Sequence, residues 1–286
     1  MSAQNILYCV GAPKSGTSWL FDYFYYHPTA KTRALKEVHY WDSLEGGRGG
    51  FWLDQHRARR ADLAQANKSE KKAEAKAFQD AAIAAIDNWV TCFDGQTRDD
   101  AAYLDFISDH GKAGLAVDFT PSYGSLSAQS FQKMADLSEN ARFLFLMRDP
   151  VERILSHLRM DSHGDLDKLN RKIEKFLSEE DSDLHILRSN YRRTINNLLK
   201  VVPRERVHFE YYETLFSDDA IQRLCAFAGL EPAKALFEKR VHKGLRYPNF
   251  AAPVEKLRQA LNPQYNFVEK FMGELPAEWT QKMVNV

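Results

Sequence analysis

The stretch G-A-P-K-S-G-T-S-W-L, residues 11–20, follows the apolar run Ile6-Leu7-Tyr8-Cys9-Val10 and leads into amphipathic sequence. Small residues here let the backbone turn sharply, so that successive N–H groups point inward at the start of a helix. Such a turn is an anion site, reinforced by the positive end of the helix dipole. Gly16 permits close approach, and Thr17 and Ser18 bring hydroxyl donors to the helix start. The lysine is displaced. In the nucleoside-triphosphate loop G-x-x-x-x-G-K-[ST] it directly follows the second glycine, whereas Lys14 stands two residues before Gly16. From there it reaches the outer, reacting side of a bound group.

Other polar clusters end apolar segments: Lys36-Glu37-Val38-His39, then Asp118 with Thr120, then Arg148-Asp149-Pro150. A carboxylate beside an anion-binding loop is a candidate general base, so Glu37 is read either as that base or as half of a salt bridge. Arg148 is a planar, permanently charged donor suited to a phosphate. After it, Asp149 can cap a helix, Pro150 suits the first turn, and Glu152 completes a box-like start. Ser156, two turns along, presents its hydroxyl to the same side. The layout holds two separated anions, one at residues 11–18 and one at Arg148 and Ser156. A nucleotide phosphorylated at both 5′ and 3′ positions fits it, whereas ATP leaves Arg148 without a task.

The elements that must position these groups alternate. Short β-rich segments are expected at residues 5–10, 30–35, 114–119, 141–147 and 206–211. Helical patterns lie at 17–26, within 56–87, and at 128–137, 151–160, 186–201 and 220–228. This alternation predicts an α/β fold, a central parallel sheet with helices on both faces. In such a sheet ligands bind beyond the carboxyl ends of the strands, where the polar clusters gather. One crossover joins the first strand to the second, which is expected to bring Glu37 across the mouth from Lys14. Residues 57–86, rich in Ala, Lys and Glu, read as an inserted exposed helix or helical pair. Its basic bias either meets an acidic partner or is a solvated face. The acidic stretch 176–185 reads as a surface loop or helix start.

The chain has 286 residues, is 44% hydrophobic and 27% charged, and balances 39 Lys and Arg against 39 Asp and Glu. Zero net charge argues against wholesale binding to nucleic acid or anionic membrane, leaving room for a local basic patch. Cys9, Cys92 and Cys225 are odd in number and lack metal-ligand spacing, which points to a reduced, cytoplasmic setting. No export signal or membrane-spanning apolar run is read in the sequence.

These motifs resemble the sulfotransferases that use 3′-phosphoadenosine 5′-phosphosulfate (PAPS). A-P-K-S-G-T-S-W-L is similar to the 5′-phosphosulfate loop of that superfamily, particularly its cytosolic branch. K-E-V-H-Y-W, T-P-S-Y and R-D-P-V-E-R-I-L-S-H resemble the heparan-sulfate (carbohydrate) branch. K-G-L-R-Y-P (residues 243–248) resembles its cofactor-closing loop, and the sequence through residue 273 its tail. The resemblance covers about residues 5 to 273 and implies one sulfotransferase domain, residues 1–286, with a helical insertion at about 54–90.

It implies that Lys14 contacts the phosphosulfate while Ser15, Gly16, Thr17 and Ser18 wrap the 5′-phosphate. Trp19 either stacks on adenine or packs in the core. Arg148 and Ser156 hold the 3′-phosphate, and Lys243, Gly244 and Arg246 close over the cofactor. Glu37 is the base, and His39 shapes the acceptor site. Two positions depart from the pattern: Phe119 replaces a lysine, and the arginine of the closing loop, Arg246, comes one place late. The implied reaction is sulfuryl transfer from PAPS, without a metal, to a hydroxyl or amine of a carbohydrate, lipid headgroup or small metabolite, leaving the 3′,5′-bisphosphate (PAP). A P-loop kinase and a non-catalytic polyanion-binding module are the rival readings.

Overall fold

The computed structural model describes residues 5–108, 114–163, 165–178, 187–238 and 251–283. Five parallel strands form one sheet in the order β2-β3-β1-β4-β5: β1 (Asn5–Gly11), β2 (Ala30–Lys31), β3 (Leu115–Phe119), β4 (Ala141–Met147) and β5 (Val207–Tyr211). The expected α/β class is the one observed. β1 lies at the centre, with β3 on one side and β4 on the other. Its carboxyl end is therefore the point where the strand order reverses, which is where open parallel sheets bind ligands.

Both faces of the sheet are apolar because both are covered. Leu7, Cys9, Leu144 and Leu146 pack with Leu20 and Phe24 of α1 (Thr17–Tyr25) in one layer. The alternate residues Ile6, Tyr8, Val10, Phe143 and Phe145 pack in the other. Leu144 and Leu146 are fully buried, so truncating either to alanine costs about 2–5 kcal/mol.

The second strand, expected over residues 30–35, is only Ala30–Lys31 and lies beyond β3 rather than beside β1. The chain then leaves the sheet and returns across the carboxyl end of β3. There the Glu37 N–H donates to Phe119 O at 2.9 Å and the Val38 N–H to Thr120 Oγ1 at 3.0 Å. This return brings Glu37 to the mouth, not adjacency of the first two strands. After it come α2 (Tyr40–Gly46), α3 (Gly49–Asn67) and α4 (Ala73–Cys92).

Helices α3 and α4 cover the stretch read as an insertion and form a hairpin. Its outer surface is charged, with Arg60 forked onto Asp87 at 3.0 and 3.1 Å. Its inner surface is core, since Leu53, Ala82, Ile86 and Trp89 are buried. Gly49 lets the hairpin base close, because a Cβ there would lie 1.7 Å from Gly95 O. The stretch read as an exposed helix or helical pair is thus exposed on one side only.

The chain continues through α5 (Asp100–Ile107), α6 (Ala128–Asp136), α7 (Pro150–Ser162), α8 (Leu166–Leu177), α9 (Tyr191–Leu199), α10 (Asp218–Ala228), α11 (Ala251–Met272) and the short α12 (Ala277–Thr280). α8 extends through the first residues of the acidic stretch. α9 starts later than the expected residue 186, at an Asn190 cap that accepts from the Arg193 N–H. Among the described residues no helix is long and apolar enough to cross a membrane.

Candidate active site

The loop between β1 and α1 turns at Gly16, whose φ of 85° suits glycine. A Cβ there would lie 2.7 Å from Leu215 and 3.1 Å from Tyr212, so the chain after β5 walls the loop closely. No side chain caps α1, which leaves the N–H groups of its first turn for a ligand. Ser15 is fully buried and its Oγ has no hydrogen-bond partner. An unsatisfied buried hydroxyl is costly, so it points to a group that it would bind. Thr17 is buried and Ser18 half-buried at the same turn.

Lys14 and Arg148 meet at this loop. The Arg148 guanidinium donates to Lys14 O at 3.2 Å and lies 4.6 Å over the Tyr212 ring. Among the described residues the Lys14 ammonium donates to the weak acceptor Met160 Sδ, at 3.3 Å. Burial lowers the Lys14 pKa, and the charges of Lys36 and Arg148 lower it further against Glu37 and Asp161. A bound anion would relieve that crowding of cations. Helix α7 carries Arg148 at its start and Met160 at its end, and half-buried Ser156 lies one turn from both Glu152 and Met160. That row puts Ser156 on the same side of α7 as Met160. Asp149 caps α7 by accepting from the Glu152 N–H at 2.9 Å, as expected. The reciprocal bond of the box comes from elsewhere: Glu213 accepts from the Asp149 N–H at 3.0 Å, while Glu152 faces Arg148, Arg159 and Lys282.

Glu37 forms an ion pair with Lys36 and lies 3.7 Å from His39 Nε2. Burial pushes its carboxyl up, but Lys36 and His39 outweigh that and hold it well below the usual carboxylate range. Its side chain remains 44% exposed, so an acceptor can reach it. His39 is buried, and its Nδ1 bonds Asp42 at 2.7 Å. Burial lowers its pKa, but bonds to Asp42 and Glu37 together with their charges raise it overall. Ser122, from the T-P-S-Y motif, donates to the same Asp42 oxygen at 2.8 Å. The His39 ring lies flat on Trp52 of α3, centroids 3.5 Å apart and planes 5° off parallel.

Lys14, Glu37 and His39 all have left-handed backbones, with φ of 72°, 67° and 57°. Each costs roughly 1–2 kcal/mol for a residue with a Cβ, and such strain clusters at working sites. The Glu37–His39 strain is held by neighbours from four directions. Asp118, 1% exposed, accepts from Thr120, Tyr103 and Tyr123. Thr120 holds the Val38 N–H and Tyr123 the Tyr40 N–H. From the hairpin, Trp89 donates to Val38 O at 3.1 Å and Arg59 to Lys36 O at 3.2 Å. Asp118, expected at the mouth, is therefore a buried anchor.

Trp19 is 6% exposed, donates to Leu236 O and packs against Tyr23, Phe216 and Phe237. It also borders a cleft of about 80 Å³ that runs along α1 toward His27, away from the loop. Phe119 packs on Phe21 and Phe24 inside the core. Lys243, Gly244 and Arg246 lie outside the described residues. The residues that sequence reasoning missed are Asp42, Trp52, Arg59 and Tyr212. Trp52, His56 and Arg59 recur at helical spacing on one face of α3, a legible signal. Among the described residues no group of three or more His, Cys, Asp or Glu is placed to hold a metal ion.

A strained loop before an uncapped helix start thus lies opposite a buttressed carboxylate at the switch point of a parallel sheet. Residues 7–234 match the model described as Sulfotransferase family, and the chain belongs to that family. It is 26% identical over 221 residues to human carbohydrate sulfotransferase 15. That alignment takes in 68% of this chain but 35% of the relative, so the chain spans about a third of that protein's length. In fold it is similar to a sulfotransferase from Alicyclobacillus acidocaldarius, with a TM-score of 0.60, 19% identity and coverage of 97% of this chain and 99% of that one. The sulfotransferase domain from the curacin biosynthetic pathway gives a TM-score of 0.50, 18% identity and coverage of 96% and 100%. At these identities the likeness is one of fold.

Proposed function

We propose that this chain transfers a sulfuryl group from PAPS to a hydroxyl or amine of an acceptor, with Glu37 as the general base. The observation that carries the donor assignment is the orphaned, fully buried Ser15 hydroxyl at the uncapped start of α1, with Lys14 and Arg148 converging on the same loop. When bound, PAPS supplies an activated sulfuryl group whose leaving group is a phosphate oxygen. Ser15, Gly16, Thr17 and Ser18 would hold the 5′-phosphate, and Arg148 with Ser156 the 3′-phosphate. Lys243, Gly244 and Arg246 are assigned to closure on the resemblance alone. Trp19 is assigned to the adenine side on the resemblance alone; it is buried against Tyr23, Phe216 and Phe237, which favours the core-packing reading.

Glu37 takes the proton from the acceptor. Its lowered pKa keeps it charged at neutral pH, and His39, between Glu37 and Asp42, fixes its direction. Lys14 meets the charge that develops on the leaving oxygen. We read residues 1–286 as one domain and, on the three free cysteines, place it in a reducing, cytoplasmic compartment. The acceptor is a carbohydrate, lipid headgroup or small metabolite.

Thermal-shift titration tests the donor assignment. Adenosine 3′,5′-bisphosphate should stabilise the chain with or without EDTA, and adenosine 5′-phosphate much less, because Arg148 then lacks its partner. Equal shifts for the two would remove Arg148 and Ser156 from the 3′-phosphate. Stabilisation by ATP with Mg²⁺ alone, or by heparin alone, would favour the kinase or the polyanion module.

A further inference from the structure

Arg148 stands where two regular structures meet. Its neighbour Met147 is the last residue of β4, and Met147 O accepts from the Tyr212 N–H at 2.7 Å, just past the end of β5. On the other side, α7 begins its own bonding with the Arg153 N–H donating to Asp149 O at 2.9 Å. The Arg148 N–H and C=O therefore fall between the sheet ladder and the helix, and such groups need partners from elsewhere.

Both go to one side chain. The hydroxyl of Tyr191, the first residue of α9, donates to Arg148 O at 2.6 Å and accepts from the Arg148 N–H at 3.4 Å. The first bond is at the short end for two oxygens, and the second is long. Tyr191 is fully buried, its ring centroid 5.7 Å from that of Phe145 and 6.2 Å from that of Trp279. Ser189, two residues before it, accepts from Arg153 of α7 at 2.5 Å. The start of α9 thus holds the start of α7 at two points. The far end of the Arg148 side chain is fixed separately, by Lys14 O and the Tyr212 ring.

We propose that Tyr191 is a positioning residue for the donor: its hydroxyl fixes the backbone of Arg148 and so aims the guanidinium at the 3′-phosphate. Burial keeps Tyr191 itself out of contact with the nucleotide. The assignment rests on the reading of Arg148 given above. Adenosine 5′-phosphate lacks the phosphate that Arg148 would hold, so the two nucleotides separate aim from fold. A loosened core weakens binding of both, whereas a misdirected Arg148 weakens binding of the bisphosphate alone.

The test is calorimetric titration of the full chain with adenosine 3′,5′-bisphosphate and with adenosine 5′-phosphate. Tyr191→Phe keeps the ring and removes one oxygen. Bisphosphate affinity should fall about tenfold, the effect of one lost hydrogen bond, while affinity for the 5′-phosphate stays as it was. Arg148→Met should remove the preference between the two, and Tyr191→Phe added to it should bring no further loss, because both act through one contact. An undiminished preference in Tyr191→Phe overturns the proposal, as do equal losses for both nucleotides or full additivity in the double variant. If Tyr191→Phe does not fold, 3-fluorotyrosine at position 191 retains the hydroxyl and reports on it. Its fluorine resonance should move with the bisphosphate and not with the 5′-phosphate, and a resonance that responds alike to both overturns the proposal. A wild-type chain that binds the two nucleotides alike takes Arg148 off the 3′-phosphate and the proposal with it. That outcome is read on the wild type alone, apart from every variant.

Discussion

The loop over residues 11–18 and the segment over residues 36–39 face each other across the same mouth, yet they are built differently. The loop is local. A strand, a sharp turn and a helix follow one another between residues 5 and 25, and the anion site is their junction. The segment is held from outside, by Thr120 and Tyr123 after β3 and by Trp52, Arg59 and Trp89 of the hairpin. Both carry left-handed residues; distant chain gives the loop a bond from Arg148 to Lys14 O, whereas it holds the segment at Lys36, Val38, Tyr40 and the His39 ring together. Binding of the donor and direction of the base should therefore respond to different mutations.

The largest effect is expected at the loop. Lys14→Ala should lower turnover about 10²–10³-fold, the range for losing one preorganised donor to a developing charge, and should also weaken bisphosphate binding. Unchanged binding would show that Lys14 acts only on the reacting group. Glu37→Gln should lower turnover about a hundredfold and leave bisphosphate binding as it was. A Glu37→Gln enzyme of near-normal turnover would take the base away from this segment, with His39 next in line.

The comparison sharpens at the hairpin. Trp52→Ala removes the plate under His39 without touching the loop. Turnover should fall about tenfold, less than the hundredfold that an ångström of misplacement can cost, again with bisphosphate binding intact. Reversing Lys71, Lys72 and Lys76 to Glu at the exposed tip of the same hairpin should leave transfer to a small acceptor unchanged. Equal losses in the two variants would mean that the hairpin acts as a whole and not through Trp52.

The smallest effect is on stability. The folded pKa of His39 is raised, so its contribution is fully present below the unfolded value of about 6.5. It is lost as pH rises through the higher folded value. Between pH 6 and pH 8 the wild type should lose more stability in urea than His39→Gln does. Parallel pH profiles would show that the Asp42 and Glu37 contacts do not hold a proton on His39.

The alternation of strands and helices, the phosphate loop and the cap of α7 were legible because each is a pattern within a few residues. Apolar period, glycine at a turn and Asp-Pro at a helix start act over distances the chain spans locally. Glu37 was legible as a residue type but not as a position. The second strand stops at Lys31, because the Glu37 and Val38 N–H groups find partners at the end of β3 instead of in a ladder. Asp118 was misplaced for a related reason: sequence shows a carboxylate at a strand end but not the three hydroxyls that bury it.

By itself, then, the sequence determined the α/β sheet, the anion loop with its displaced Lys14, and the set of groups gathered at the strand ends. Tertiary structure alone decided that the hairpin faces inward through Trp52, Arg59 and Trp89, and that His39 is clamped between Glu37 and Asp42. The physical reason is range. Propensity, capping and turn chemistry are fixed by neighbours in the chain, whereas the direction of a carboxylate and the pairing of a guanidinium are fixed by whatever folding brings beside them.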